Sequence, residues 1–198
     1  MHRPCDAGRG GTAITRTFAN ALDRPIFVVG HPRSGTTLLA SMLGRHPEVA
    51  STPESLFMYR VRYQLEPVLG AGPEAIVAAV LRTPMGPLVL DPEGFLRRLR
   101  AAGEVDMRTL FAALLAAFRE AEGRPRVLEK SPGHLRHIDE LAAWFPDAKF
   151  VWIVRDGRAA VASLAKVPWA SDDPVVLARQ WVRNVSFGLG SLARLPER

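Results

Sequence analysis

Residues 25–43 read "PIFVVGHPRSGTTLLASML". An apolar run, Pro25–Val29, breaks at Gly30; Gly30 and Gly35 bracket a short loop; Thr36 and Thr37 open a second apolar stretch. A nearly unbroken apolar run ended by a glycine marks a strand buried on both faces. A helix should begin near Thr36 and stop about Gly44, with His46-Pro47 closing it. Two glycines at that spacing, between a strand and a helix, let backbone N–H groups point inward at an anion, and the helix N-terminus adds positive potential. A loop made for a nucleoside triphosphate follows its second glycine with a lysine for the β/γ-phosphates and a hydroxyl for magnesium. Thr36 stands where that lysine would be. A ligand with a single phosphate at this point, and no triphosphate chain to neutralise, explains the change. Arg33, inside the loop, supplies charge from another direction as a planar fork that bridges two oxygens. An ordinary strand-to-helix turn is the plainer alternative; Arg33-Ser34-Gly35-Thr36-Thr37 directly after an apolar strand favours the anion cradle.

Outward from this loop, strands and helices alternate. "EVAST" (48–52) is a short second strand ending at Pro53, and residues 56 to 123 read as helical. There Asp106 has the place of an N-cap, Leu110, Phe111, Leu114, Leu115 and Phe118 share one helical face, and Gly123 then Pro125 end the element. "RVLEK" (126–130) is a third strand, and Ser131-Pro132 has the N-cap and first-turn proline of a new helix. "AKFVWIV" (148–154) is the clearest strand, "RDGRAAVASLAK" turns from it into a helix, and Pro174 to Leu195 reads as one long helix weakened at Gly188 and Gly190. Such alternation predicts an α/β fold, a parallel sheet flanked by helices in a three-layer sandwich like that of the P-loop NTPases. Ligands of such sheets sit beyond the carboxyl ends of the strands. Loops 30–37, 130–134 and 155–158 should therefore converge on one crevice.

The chain has 198 residues, 47% of them hydrophobic, enough for one sizeable core. Its one cysteine, Cys5, makes no disulfide framework, and no His/Cys/Asp cluster at ligand spacing predicts a metal site. Neither a signal-peptide core nor an apolar run long enough for a bilayer is present, so a soluble, cytoplasmic protein is expected. Residues 1–24 are expected to form a disordered tail ahead of a single domain over 25–198. The balance of 26 basic against 20 acidic residues favours an anionic partner, but aromatic content is 8% without aromatic–basic alternation, so nucleic acid is not the expected one. Only Lys130, Lys149 and Lys166 among the 26 basic residues are lysines, which singles out Lys130 at a strand end.

A second cluster joins the first. Arg155 ends a buried strand, where a charged side chain must reach the crevice or find a partner. Ser163 follows eight residues later on a helix whose Ala159, Ala160 and Ala162 leave room for a ligand. An ion pair of Arg155 with Asp156 or Asp147, and a merely superficial Ser163, is the bland alternative. Two anion sites on one crevice instead fit a nucleotide phosphorylated at two different ends.

The combination resembles the sulfotransferases that use 3′-phosphoadenosine 5′-phosphosulfate (PAPS) as donor: "PIFVVGHPRSGTTLLASML" is similar to their 5′-phosphosulfate loop and "FVWIVRDGRAAVASL" to their 3′-phosphate segment. The resemblance implies that Arg33, Ser34, Gly35, Thr36 and Thr37 surround the phosphosulfate, that Arg155 and Ser163 hold the 3′-phosphate, and that neither metal nor P-loop lysine is needed. "HPEV" followed by Glu54, and "EKSPGH" (129–134), are similar to the tyrosylprotein and bacterial-type branches. That likeness implies Glu54 as general base and Lys130 as the group that assists the departing phosphate, with Arg33 beside them in catalysis. His134, close to Lys130, is the rival base; His31 more simply shapes the loop. The implied partners are the nucleotide donor and an unidentified hydroxyl- or amine-bearing acceptor. The family fold continues past the long helix into a further strand and a nucleotide-contacting segment, so a domain ending at Arg198 is expected to be incomplete at its C-terminus. A catalytically silent nucleotide-binding or interaction module is the alternative function, and a P-loop kinase relative a third.

Overall fold

The computed structural model describes residues 22 and 24–195; the expected N-terminal tail lies almost wholly outside them. Four parallel strands form the sheet, β1 (Ile26–Gly30), β2 (Val49–Ser51), β3 (Arg126–Lys130) and β4 (Lys149–Ile153), in the order β2-β3-β1-β4. The registers Val28↔Lys130 and Gly30↔Ile153 bring the carboxyl ends of β3 and β4 to either side of the glycine loop. The first strand thus sits centrally, which accounts for its almost uninterrupted burial.

Side-chain alternation assigns the two faces. Val28, Val49 and Leu128 pack with Ala40 of α1 (Thr36–Leu43) on one of them. Phe27, Val29, Ala50 and Val127 face the larger core, which holds α5 (Met107–Ala121) and Ile138 and Leu141 of α6 (Ile138–Trp144). Phe27 is the hub there, with ring centroids 6.3 Å from Phe111, 5.7 Å from Phe145 and 5.5 Å from Phe150. A three-layer α/β sandwich results.

The helical middle is more broken than its composition suggests. After β2 come a π-helical turn (Phe57–Val61), the short α2 (Arg62–Leu65), a 3-10 turn, α3 (Pro73–Leu81), α4 (Pro92–Ala102) and then α5. Prolines and glycines such as Pro67, Gly72, Pro73 and Pro92 divide the segment. Asp106 caps α5 as expected, its side chain accepting from the Thr109 amide at 2.7 Å. Ser131 stands at the N-cap and Pro132 in the first turn of a helix as expected, but the helix is 3-10 (Pro132–His137), and the Ser131 hydroxyl makes no capping bond because it is drawn to a buried carboxylate, Glu129.

From β4 the chain enters α7 (Gly157–Leu164) and then α8 (Pro174–Arg194). The expected weakening of α8 at its glycines is absent. Gly188 is buried against Trp152, where an added Cβ would come within 2.4 Å of the indole, so its missing side chain lets helix and strand approach.

The hub position generates a stability prediction. Phe27→Ala removes a ring with no exposed surface from among three aromatic neighbours, and should lower the unfolding free energy by about 3–5 kcal/mol in a urea titration.

Candidate active site

The loop after β1 is shaped by backbone conformation before side chains contribute. Arg33 (φ 65°) and Gly35 (φ 99°) both adopt left-handed conformations, and the Ser34 amide closes a turn on the His31 carbonyl at 3.2 Å. Gly35 tolerates its conformation because it has no Cβ; α1 begins immediately after it. Gly30 is required for a different reason. A Cβ there would lie 2.8 Å from the Ile153 carbonyl oxygen, so the loop's start and the end of β4 could not come together.

A cavity of about 490 Å³ opens at this point, lined by Arg33, Gly35, Thr36, Thr37, Leu38, Ser41, Arg155 and Ser163. That volume falls within the range of small-molecule sites. Arg33 and Arg155 are brought together: the Arg155 guanidinium donates to the Arg33 carbonyl at 3.0 Å. The Arg33 Nε donates to Ser163 Oγ at 3.2 Å. Arg33 therefore groups with Arg155 and Ser163. Asp156 is taken by Arg158, at 2.8 Å, and not by Arg155. The cavity also receives Leu38 and Ser41, which the sequence reading passed over; Thr37 and Ser41, polar at i and i+4 in an apolar helix, carried the readable signal.

On the other side stand Lys130 and Glu54. Alternation along β3 sends Lys130 to the α1 face, where its Nζ donates to Thr37 Oγ1 at 3.2 Å and forms an ion pair with the Glu54 carboxylate. Lys130 is buried to 8% side-chain exposure while Glu54 keeps 41%, so the pair is anchored at one end and open at the other. Glu54 follows β2 by three residues and precedes Leu56, a non-glycine residue at φ 53°. That conformation costs about 1–2 kcal/mol, and the π-helical turn beginning at Phe57 is a second local irregularity of the kind found at functional sites.

His134, the rival base, has no exposed surface. Its Nε2 accepts from the Met58 amide at 3.2 Å and its Nδ1 faces the Glu129 carboxylate at 2.9 Å. Nε2 is thus engaged and Nδ1 faces a buried carboxylate, and the ring lies outside the cavity lining. His31 is buried and bonded through Nδ1 to Asn184 of α8 at 2.9 Å, with Arg136 in turn donating to the Asn184 carbonyl at 2.8 Å. Burial, then the Arg136 charge, push His31 below its ordinary value, so it acts as a neutral brace between the loop and α8. Among the described residues no group of three or more His, Cys, Asp or Glu side chains is arranged to hold a metal, and no helix is long and apolar enough to cross a membrane.

A parallel sheet carrying a glycine loop, two arginines and a Lys–Glu pair at its carboxyl edge defines an α/β protein whose crevice lies where ligands of such sheets bind. Residues 25–194 match the profile of the Sulfotransferase family, and the chain belongs to that family. It is similar to mouse (Mus musculus) protein-tyrosine sulfotransferase 1, 33% identical over 168 residues, which is 83% of this chain and 40% of that protein. The nodulation protein NoeE of Sinorhizobium fredii is 29% identical over 152 residues, 74% of this chain and 33% of that one. The chain thus spans about two fifths or less of the length of these relatives. Its fold resembles that of the sulfotransferase domain from the curacin biosynthetic pathway, with a TM-score of 0.59, 22% identity, and coverage of 88% of this chain and 64% of that domain.

The helix that carries Ser163 yields a pH prediction. Asp156 caps α7 by accepting from the amides of Arg158 (2.9 Å) and Ala159 (3.3 Å). The Arg158 side-chain hydrogen bond, then these amides, bring its carboxyl down from 3.8 to about 2. A depressed folded-state pKa means that the stabilisation is complete above 3.8 and is lost as pH falls through about 2. Asp156→Ala should lower the urea midpoint at neutral pH, and the gap to the unmodified chain should close over that acid window.

Proposed function

We propose that the chain is a sulfotransferase that moves the sulfuryl group of 3′-phosphoadenosine 5′-phosphosulfate to a hydroxyl or amine acceptor by in-line displacement. One observation carries this reading within the family: the Lys130 ammonium touches both Thr37, at the mouth of the anion loop, and the Glu54 carboxylate. A cation for a departing phosphate oxygen and a base for an incoming acceptor therefore meet beside the cradle. The cavity fits such a donor in character, its lining combining the cationic Arg33 and Arg155, the hydroxyl residues Thr36, Thr37, Ser41 and Ser163, and Gly35 of the loop.

The donor supplies a sulfuryl group already attached to a phosphate leaving group. Gly35, Thr36 and Thr37, with the N-terminus of α1, would hold its 5′ end, and buried Ser34 shapes the loop behind them. Arg33, Arg155 and Ser163, which already touch one another, would hold the 3′-phosphate; this moves Arg33 from the phosphosulfate end to the opposite one. Glu54, the exposed half of its pair, would take the acceptor's proton while the acceptor oxygen or nitrogen bonds to sulfur. The bond from sulfur to the bridging oxygen breaks in the same step, and its electron pair stays on the phosphate. Lys130 is suited to that moment because protonation of Glu54 discharges its partner and leaves the ammonium to the new negative charge. Full burial, with Nε2 accepting from the Met58 amide and Nδ1 facing Glu129, favours Glu54 over His134 as the base.

Transfer of labelled sulfate, together with calorimetric titration of adenosine 3′,5′-bisphosphate, tests the assignment. Glu54→Ala and Lys130→Ala should each lower transfer by about 10²–10⁴-fold and leave bisphosphate affinity nearly unchanged. Arg155→Ala should weaken bisphosphate binding by about tenfold or more, the loss of a charge-assisted hydrogen bond. Tight binding of ATP with none of the bisphosphate would remove the sulfotransferase reading.

A further inference from the structure

β3 ends in two adjacent charged residues, Glu129 and Lys130, and alternation turns them to opposite faces. Lys130 meets Glu54. Glu129, with no exposed surface, meets the next residue along, Ser55: its Oε1 accepts from the Ser55 hydroxyl at 2.7 Å and from the Ser55 amide at 3.3 Å. The same oxygen accepts from the Ser131 hydroxyl at 2.6 Å, and Oε2 faces His134 Nδ1 at 2.9 Å. These partners in turn receive the amides that follow. Leu56 donates to Ser131 Oγ (3.0 Å), Phe57 to Ser55 Oγ (3.3 Å) and Met58 to His134 Nε2 (3.2 Å).

Four successive amides, at 55 to 58, are thus satisfied by one buried cluster centred on Glu129. They are the amides that the left-handed Leu56 and the first π-helical turn leave without intrahelical partners. Both hydroxyl donors of the cluster, and the Ser55 amide, are oriented toward the carboxylate. Ser55 and Ser131 each give a hydroxyl proton to it and receive an amide on the oxygen, and His134, accepting at Nε2, presents its Nδ1–H to Glu129. A carboxylate is the acceptor-only group that such an arrangement requires.

We propose that Glu129 is a positioning residue for the reaction: through Ser55, Ser131 and His134 it fixes the strained 55–58 segment and so holds Glu54 against Lys130 at the mouth of the anion loop. This rests on the sulfotransferase reading above and adds to it a residue that touches neither donor nor acceptor. Burial alone would push the Glu129 carboxyl up; the facing His134 and the hydrogen bonds from Ser131 and Ser55 outweigh it and hold the group below its ordinary value, as a permanently charged anchor must be. Glutamine at 129 keeps the shape and breaks the logic. Its amide N–H₂ would face His134 Nδ1–H, and the tautomer that relieves this contact sets Nε2–H against the Met58 amide.

The test is a comparison of Glu129→Gln in two backgrounds, the unmodified chain and Glu54→Gln, by labelled-sulfate transfer and calorimetric binding of adenosine 3′,5′-bisphosphate. In the unmodified background kcat should fall by about 10²-fold, the scale of a small misplacement of a reacting group, with bisphosphate affinity unchanged. In the Glu54→Gln background the residual rate should not fall further, because the substitution acts through Glu54. Ser131→Ala removes one bond from the same cluster and should give the same pattern at about tenfold, which keeps the test available should Glu129→Gln not fold. An unchanged kcat, or an equal loss in both backgrounds, overturns the positioning role alone. An unmodified chain that moves no sulfate overturns the sulfotransferase reading, and the positioning role with it.

Discussion

Two neighbouring residues on one strand are turned in opposite directions by the pleat, and the site depends on that constraint. At the end of β3, Lys130 reaches toward α1 and the loop, while Glu129 reaches into the larger core. The segment entering after β2 repeats the division: Glu54 meets Lys130 and Ser55 meets Glu129. A one-residue slip would exchange the faces of both pairs. It would bury Lys130 in an aromatic core without its partner, which is a costly place for an ammonium. The neighbouring strand registers, Ser51↔Leu128 and Val28↔Lys130, guard against such a slip.

The cavity is made by a second constraint, close backbone approach. Gly30 admits the carbonyl of Ile153, and Gly157 packs where a Cβ would lie 3.0 Å from the Trp181 indole. The Trp181 ring nitrogen donates to the Arg155 carbonyl at 3.2 Å. Helix α8 therefore supports both cavity loops from behind: Trp181 steadies the chain at Arg155, and Asn184 holds His31. Arginine side chains in the crevice can remain exposed to a ligand because the backbone that carries them is braced from the core side.

Much of this was legible from the order of residues. Periodicity located all four strands to within a residue or two, because buried parallel strands are apolar runs bounded by breakers. The glycine loop and its missing lysine pointed to an anion cradle, and the strand ends identified which loops would converge. Family likeness singled out Lys130 and Glu54 separately; their pairing, in contrast, joins residues 76 apart, with no local pattern that required it.

The chain's covalent order by itself determined the α/β alternation, the sheet's parallel sense and the glycine loop between β1 and α1, since each follows from local periodicity and turn chemistry. Only the tertiary structure decided the rest: that the Ser131 hydroxyl serves a buried carboxylate, that Gly188 is an approach point for Trp152, that Arg33 lies with Ser163, and that His134 is enclosed. These depend on which residues distant in sequence share a face, and no property of a short window encodes that. Hydrogen-bond partners and desolvation are set by neighbours brought in by folding, so a polar residue's role stays open until its surroundings are known.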